Sequence, residues 1–535
     1  MAWSTPETKL KHWARVSVAA ILTRYDRYDR MNTTSVGSRR ASLRGIFAYM
    51  TGDGVNSLIM NSIFGYSMLY YTEALGLDYK LAGLAMSVAT LWDAITDPLM
   101  GHITDNTRSR FGRRHPYMLL GGVLATLCYY FIWAVPPSFQ APHLLFWYLV
   151  VVNLLLRTGI TVFAVSHGAL GFEISTDYTQ RTTLQGMRWG FNMLVNLAGP
   201  ALAWRLFFPD RDDGVEATSV ADNFVRMGSV FAIAALVFTL FVVFATRKYI
   251  VDTRNTPGVS GSSPLDFLKN FAQIITDKIP RTVFIFNAIA LYGVVLVSAL
   301  QMYVYVHFMK FSSTHKAIVH GSTMVACGLG GLASPLMVKW FDKKPSICIA
   351  VIVSVSANGM LLLLFVTGWI PAGASFALPD TVPIIGGTII PHAMLIFLVF
   401  HATFWAGVGT TCAIANSMMA DVSEICKHRT GVLKDGGYSA MLSFIIKTSM
   451  SLGLLTSGYC LAWVGFDVES EVQTPEAIRG LGLVTFAAGS AIALIALFAI
   501  RRYPVTREYM ERIKSELAAK SNASEPIPGA YAPGY

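Results

Sequence analysis

The sequence predicts an all-α membrane protein: twelve transmembrane helices in two six-helix halves, both termini cytoplasmic. Three observations carry that expectation. Hydrophobic residues make up 53% of the 535 and charged residues only 14%, whereas soluble domains average about 25% charged. The apolar residues fall in long continuous runs rather than alternating, which argues against a β-barrel. Basic and non-basic links alternate between the runs, the pattern that orients helices in a bilayer. The net charge of +10 is spread over those alternate links, so it reads as orientation and not as a nucleic-acid surface.

In chain order, residues 1–45 are a basic cytoplasmic tail with Lys9, Lys11, Arg15, Arg24, Arg27, Arg30, Arg39, Arg40 and Arg44. Its one apolar piece, Val16 to Leu22, is too short for a span, so the first run is read as its own insertion signal. The N-terminal half, 46–246, holds runs at about 46–71, 81–104, 116–135, 144–170, 184–206 and 224–246. A polar segment, 247–281, is the central cytoplasmic loop. The C-terminal half, 282–501, holds runs at about 282–309, 318–338, 346–368, 384–417, 438–465 and 480–500. A cytoplasmic tail, 502–535, follows, polar and disorder-prone from Ser521. The links with Asp210, Asp212, Asp213 and Glu216, and with Asp467, Glu469, Glu471 and Glu476, are acidic and fall on the opposite side.

Six spans, a loop and six spans is the layout of a two-half secondary transporter. The halves echo one another: Gly101, Asp105 and Arg113-Arg114 follow the second run, and Gly331, Asp342 and Lys343-Lys344 follow the eighth. The six cysteines are scattered, with no CxxC or Cys/His spacing, so neither zinc nor a disulfide framework is indicated. No phosphate-binding loop and no nucleophile–base set appears. An enzyme and an ATP-driven pump are both disfavoured, and no cofactor is expected.

Chemistry concentrates in Trp92-Asp93-Ala-Ile-Thr96-Asp97-Pro98. Helical spacing puts Asp93 and Asp97 one turn apart on one face. Each buried charge costs roughly 2.5–3.5 kcal/mol on insertion scales, so the pair calls for a cation, a proton or a counter-charge. Thr96 between them and Thr161 on the fourth run offer further oxygens, which suits Na⁺ or H⁺ as coupling ion. Lys447, deep in the eleventh run, invites pairing with either Asp. Arg188, near the start of the fifth, can bind substrate or anchor the interface. Arg157 reads as structural, and His167 and His401 as packing histidines. Among the aromatic residues, Trp405 and Trp189 are the best candidates for stacking on a sugar ring.

These motifs resemble the glycoside–pentoside–hexuronide:cation symporters of the major facilitator superfamily, the melibiose-permease-like group. The resemblance runs from about Gly52 to Arg507. It is densest in Tyr70-Tyr-Thr-Glu through Asp93, Asp97, Gly101, Asp105 and Arg113-Arg114, and continues in Glu173…Arg181…Arg188 and in Asp421…Glu424…Lys447. It implies the major facilitator fold and symport of a sugar or glycoside with Na⁺ or H⁺ by alternating access. Asp93, Thr96, Asp97 and Thr161 would bind the cation, and the two carboxylates would ligate Na⁺ if sodium is coupled. Lys447 would link that site to a substrate held by Arg188. The group's first-helix Lys-Asp pair falls on Asn56 and Ser57, its fourth-helix carboxylate on Ala164, and its Pro-Tyr on Ser166-His167, which puts galactoside specificity in question. Asn56, Ser57, His167 and Trp405 complete the candidate substrate contacts. The expected partners are a small-molecule sugar and the lipid bilayer, with no nucleic acid. A monomer in a bacterial inner membrane is expected. The rival readings are a cation-coupled lipid or lysolipid transporter, and a membrane sensor without flux.

Overall fold

The computed structural model describes residues 41–175, 178–209, 216–250, 277–370, 382–384, 388–430, 435–467, 470 and 472–524. Most of the basic N-terminal tail, most of the central loop and the last eleven residues lie outside that range.

The first rod is α1 (Leu43–Thr51) and α2 (Asp53–Leu69), joined at Gly52 and continued by a π-helical turn, Tyr70–Ala74. It is followed by α3 (Tyr79–Asn106), α4 (His115–Trp133), α5 (Pro142–Ile174), α6 (Tyr178–Phe207) and α7 (Ala221–Ala245). The second half opens with α8 (Lys278–Tyr303), which also runs into a π-turn, Val304–Phe308. Then come α9 (Ser313–Phe341), α10 (Lys343–Leu361), α11 (His392–Thr430) and α12 (Asp435–Trp463). The last rod is α13 (Pro475–Leu483), a π-turn at Val484–Ala488, and α14 (Gly489–Ile500). The described residues thus contain twelve long helical rods in two sets of six.

Boundaries are where the structure corrects the sequence. Hydropathy places the tenth run at 384–417. Instead, β1 (Val382–Ile384) and β2 (Thr388–Ile390) pair antiparallel, Val382 opposite Ile390, and the helix begins only at His392. β-branched residues around Gly386-Gly387, closed off by Pro391, favour strand over helix. The central segment ends early because Asp277 caps α8, its side chain accepting from the Ile279 N–H. The tail from 502 is not all irregular: α15 (Arg507–Ser524) takes in Ser521 as well. Met510 and Ile513 bury that helix against the second half, and Arg507 donates to the Val338 and Lys339 carbonyls that end α9.

Nine of these rods are long and apolar enough to cross a membrane by length and composition. The three that fall short are the first, α3 and α6, and they carry Asp53, Asp93, Asp97, Arg188 and a set of amides. Large apolar side chains such as Ile233, Leu332 and Phe498 point outward, as a lipid-facing surface requires.

The internal echo has a structural counterpart. After α3, Arg113 and Arg114 reach Glu173 at the end of α5, at 2.7 and 3.0 Å. After α9, Lys343 reaches Asp421 near the end of α11 at 2.6 Å. In each half a basic link behind the second span grips an acid at the end of the fourth.

The halves close on each other at the face opposite those basic links. Thr72 and Tyr303 hydroxyls lie 2.6 Å apart, His307 lies 3.3 Å from Glu73, and Lys316 lies 3.1 Å from Glu216. Deeper in, Ser451 donates to the Ser87 carbonyl at 2.9 Å. This contact between α3 and α12 needs glycine. A Cβ at Gly458 would stand 2.2 Å from the Tyr79 carbonyl oxygen, and one at Gly83 3.0 Å from that of Leu454. Gly458→Val is therefore expected to cost about 1–3 kcal/mol through overpacking, read as a lower thermal midpoint in detergent. An unchanged midpoint would show that the two backbones are not in contact.

Candidate functional site

On α3, Thr90, Asp93 and Asp97 form one polar stripe among apolar neighbours, facing Arg157 and Thr161, themselves one turn apart on α5. Arg157 Nη1 lies 2.8 Å from Asp93 Oδ2, and its Nη2 donates to Thr90 at 3.3 Å. Both members of that ion pair are buried, Arg157 3% and Asp93 4% exposed. Thr161 donates to Asp97 Oδ1 at 2.8 Å, and Thr96 stands 3.5 Å from Thr161. From the other half, Lys447 Nζ pairs with Asp97 Oδ2 and lies 3.4 Å from the Asp93 carbonyl and 3.9 Å from Asp93 Oδ2.

Two carboxylates and two cations therefore meet where α3, α5 and α12 touch, and with all four ionised the formal charge is zero. Two opposite charges 4 Å apart attract by about 4 kcal/mol at an effective dielectric of 20, enough to offset much of their desolvation. One acceptor, Asp93 Oδ1, is buried with no hydrogen-bond partner among the described residues. Asp93, Thr96, Asp97, Thr161 and Lys447 are brought together. Arg157, which the sequence alone presents as structural, is the unforeseen member.

The second polar region is a ladder between α2 and α6. Asp53, Ser57 and Asn61 recur every fourth residue on one helix, and Arg188, Asn192 and Asn196 do so on the other, so each set lines one face. Arg188 Nε lies 2.5 Å from Asp53 Oδ1, and Asn192 donates to Asp53 Oδ2 at 3.2 Å. Asn192 also donates to the Ser57 hydroxyl, Asn61 donates to Asn196, and Asn196 donates to Asn192 at 3.0 Å. Arg188, Asn61, Asn192 and Asn196 are half-buried, leaving amide and guanidinium edges for a ligand. Asp53 and Asn61 are visible in the sequence as polar residues of the first run, whereas Asn192 and Asn196 do not stand out. The matching four-residue spacing in two apolar runs is the available signal.

The remaining candidates sit elsewhere. His167 is buried behind the ladder: Nε2 contacts the Tyr49 carbonyl at 2.8 Å, Nδ1 lies 3.8 Å from Asp53, and the ring stacks on Phe163. Gly52 leaves room for it, since a Cβ there would fall 2.4 Å from His167 Nε2. Asn56 is half-buried on the face next to the ladder. Trp405 belongs to the second half, packed on Phe404 with its Nε1 3.4 Å from His401. Trp189 lies on α6, its side chain outside what the structure describes.

Comparison with known proteins agrees with this architecture. The chain is 25% identical over 502 residues to the putative glycoside/cation symporter YagG of Escherichia coli, covering 91% of this chain and 98% of that one. It is 31% identical over 164 residues to the sodium-dependent lysophosphatidylcholine symporter 1-B of Danio rerio, covering 30% and 31%. The fold is shared with a point mutant of the nucleoside transporter NupG, TM-score 0.60 at 12% identity, over 86% of this chain and all of that one. The model of the family described as MFS/sugar transport protein matches residues 49–507. With its apolar rods and outward-facing lipophilic surface, this multi-pass integral membrane protein belongs to that major facilitator family.

Proposed function

We propose that the chain is a cation-coupled symporter of a sugar or glycoside, working by alternating access between its halves, 46–246 and 282–501. A single observation carries the reading: Lys447 of one half holds Asp97 of the other, inside a cluster whose charges cancel. A proton or Na⁺ arriving at Asp97 competes with Lys447 for the same carboxylate. The ammonium is released, and a contact across the two halves weakens. Asp93 is less free to respond, because Arg157 already neutralises it. Asp93, Thr96, Asp97 and Thr161 supply the ion's oxygens, while Arg188, Ser57 and Asn56 face the substrate with Asn192 and Asn196.

The names of relatives support the substrate class, since YagG is described as a glycoside/cation symporter. A second reading, transport of a lysolipid, draws on the similarity to the lysophosphatidylcholine symporter, which covers only a third of the chain. Neither reading requires a bond to be made or broken, so no catalytic residue is assigned. One chain contributes both halves of the site, consistent with action as a monomer in a bacterial inner membrane, its basic links cytoplasmic.

Uptake into proteoliposomes tests the reading. Accumulation of a methyl glycoside driven by an inward Na⁺ or H⁺ gradient is the expected result. Uptake that equilibrates without ever exceeding the outside concentration would refute coupling. Gradient-dependent uptake of lysophosphatidylcholine alone would favour the second reading.

A further inference from the structure

Besides the ladder and the charge cluster, the second half holds a buried polar group of its own. It is built from α8, its π-turn and α11. Gln301, Tyr305, His401 and Trp405 are between 0% and 7% exposed. His401 Nε2 lies 3.0 Å from the Tyr305 hydroxyl, 3.3 Å from Gln301 Oε1 and 3.4 Å from Trp405 Nε1. Three neighbours compete for one ring nitrogen. The other, Nδ1, is buried with no hydrogen-bond partner among the described residues.

A purely structural polar cluster satisfies its members, because each buried unsatisfied group costs about 1–3 kcal/mol. Here an imidazole nitrogen is left over beside an amide, a phenol and an indole N–H. None of its hydrogen-bond partners among the described residues is a carboxylate, an ammonium or a guanidinium. The group is therefore uncharged in its contacts, rich in both donors and acceptors, and edged by Trp405 and Phe404. Such a set matches the hydroxyls and flat apolar face of a neutral sugar, and suits a phosphate or carboxylate poorly.

Its position adds a second argument. Tyr305 lies within the π-turn Val304–Phe308, and π-turns are frequent at functional sites. Along this short stretch Tyr303 meets Thr72 of the other half, Tyr305 meets His401, and His307 meets Glu73. The segment that bears the phenol of the cluster thus also bears two of the contacts that close the halves.

We propose that Gln301, Tyr305, His401 and Trp405 form a subsite of the second half for the hydroxyl groups of an uncharged sugar. It is reached from between the halves when the Thr72–Tyr303 and Glu73–His307 contacts part. This rests on the sugar-transport reading above and assigns the sugar's second set of contacts, facing the ladder of the first half.

The test uses purified full-length protein, with D-xylose, methyl β-D-glucopyranoside and lysophosphatidylcholine as probes, each with and without Na⁺ and at two pH values. A probe sugar that stabilises the wild type is expected to bind at least tenfold more weakly to Tyr305→Phe and to His401→Ala. The ion dependence of whatever binding remains should be unchanged. Asp97→Asn should do the reverse, losing ion dependence while keeping the subsite. Tyr305→Phe removes a single hydroxyl, so it serves should His401→Ala fail to fold. Sugar affinity within twofold of wild type in Tyr305→Phe would overturn the subsite and leave the transport reading standing. Binding of lysophosphatidylcholine but of neither sugar, or of no probe at all, would overturn the transport reading and the subsite with it.

Discussion

Replacing Arg157 with Met is expected to destabilise the protein by about 3–5 kcal/mol, the range found when one partner of a buried ion pair is removed. The reason is geometric. Asp93 is 4% exposed, and its only counter-charge within 3 Å among the described residues is the Arg157 guanidinium. Lys447 stands 3.9 Å away and already serves Asp97. Without Arg157 the carboxylate must take up a proton or remain an uncompensated charge in an apolar surrounding. Arg157→Met with Asp93→Asn is expected to regain most of the loss, since the pair is then removed as a unit. Thermal midpoints of the four proteins in the cycle decide this. A double variant as unstable as the single would mean that Arg157 acts through its packing on Phe64, over whose ring it lies at 5.1 Å.

Asp97→Asn is expected to abolish gradient-driven accumulation while leaving the fold intact. Asp97 is the less buried carboxylate, and its partners, Thr161 and Lys447, can bond an amide oxygen nearly as well. What the amide cannot do is change charge or hold a cation strongly. Ion and substrate affinities in a coupled carrier raise each other by the same factor, typically 5–150-fold. That factor should fall to one in the variant. Substrate affinity measured with and without the ion reads it directly. A ratio that survives the substitution would move the coupling site elsewhere.

How much of this was legible in the sequence differed by residue type. Spans were legible because continuous apolar runs are hard to mistake, and Asp93, Asp97 and Lys447 because a charge inside such a run is expensive. Arg157 carries the same expense, yet a lone basic residue gives no hint of which acid it will meet. The ladder was harder still. Ser57, Asn61, Asn192 and Asn196 are ordinary residues in a helix, and only the pairing of α2 with α6 turns two four-residue periods into rungs. His167, read from the sequence both as a packing histidine and among the candidate substrate contacts, lies behind Asp53 and stacks on Phe163. The strands at Val382–Ile384 and Thr388–Ile390 were hidden because hydropathy alone merges them with the helix that follows.

The three rods that fall short of the apolar threshold have a bearing on how the protein is made. A helix that carries Asp53, Asn56 and Asn61, or the Asp93/Asp97 pair, partitions poorly into lipid alone. The first rod's polar partners are on α6, and those of α3 are on α5 and α12. Each early segment must therefore wait for a later one before its polar groups are covered. Asp93 is relieved when α5 emerges, Asp53 only with α6, and Asp97, which gains the Thr161 hydroxyl with α5, meets its counter-charge only when nearly the whole chain has been synthesised. Substitutions in the ladder should accordingly lower the amount of inserted protein as well as its transport rate, and assembly intermediates lacking α12 should be the ones recognised by membrane quality control.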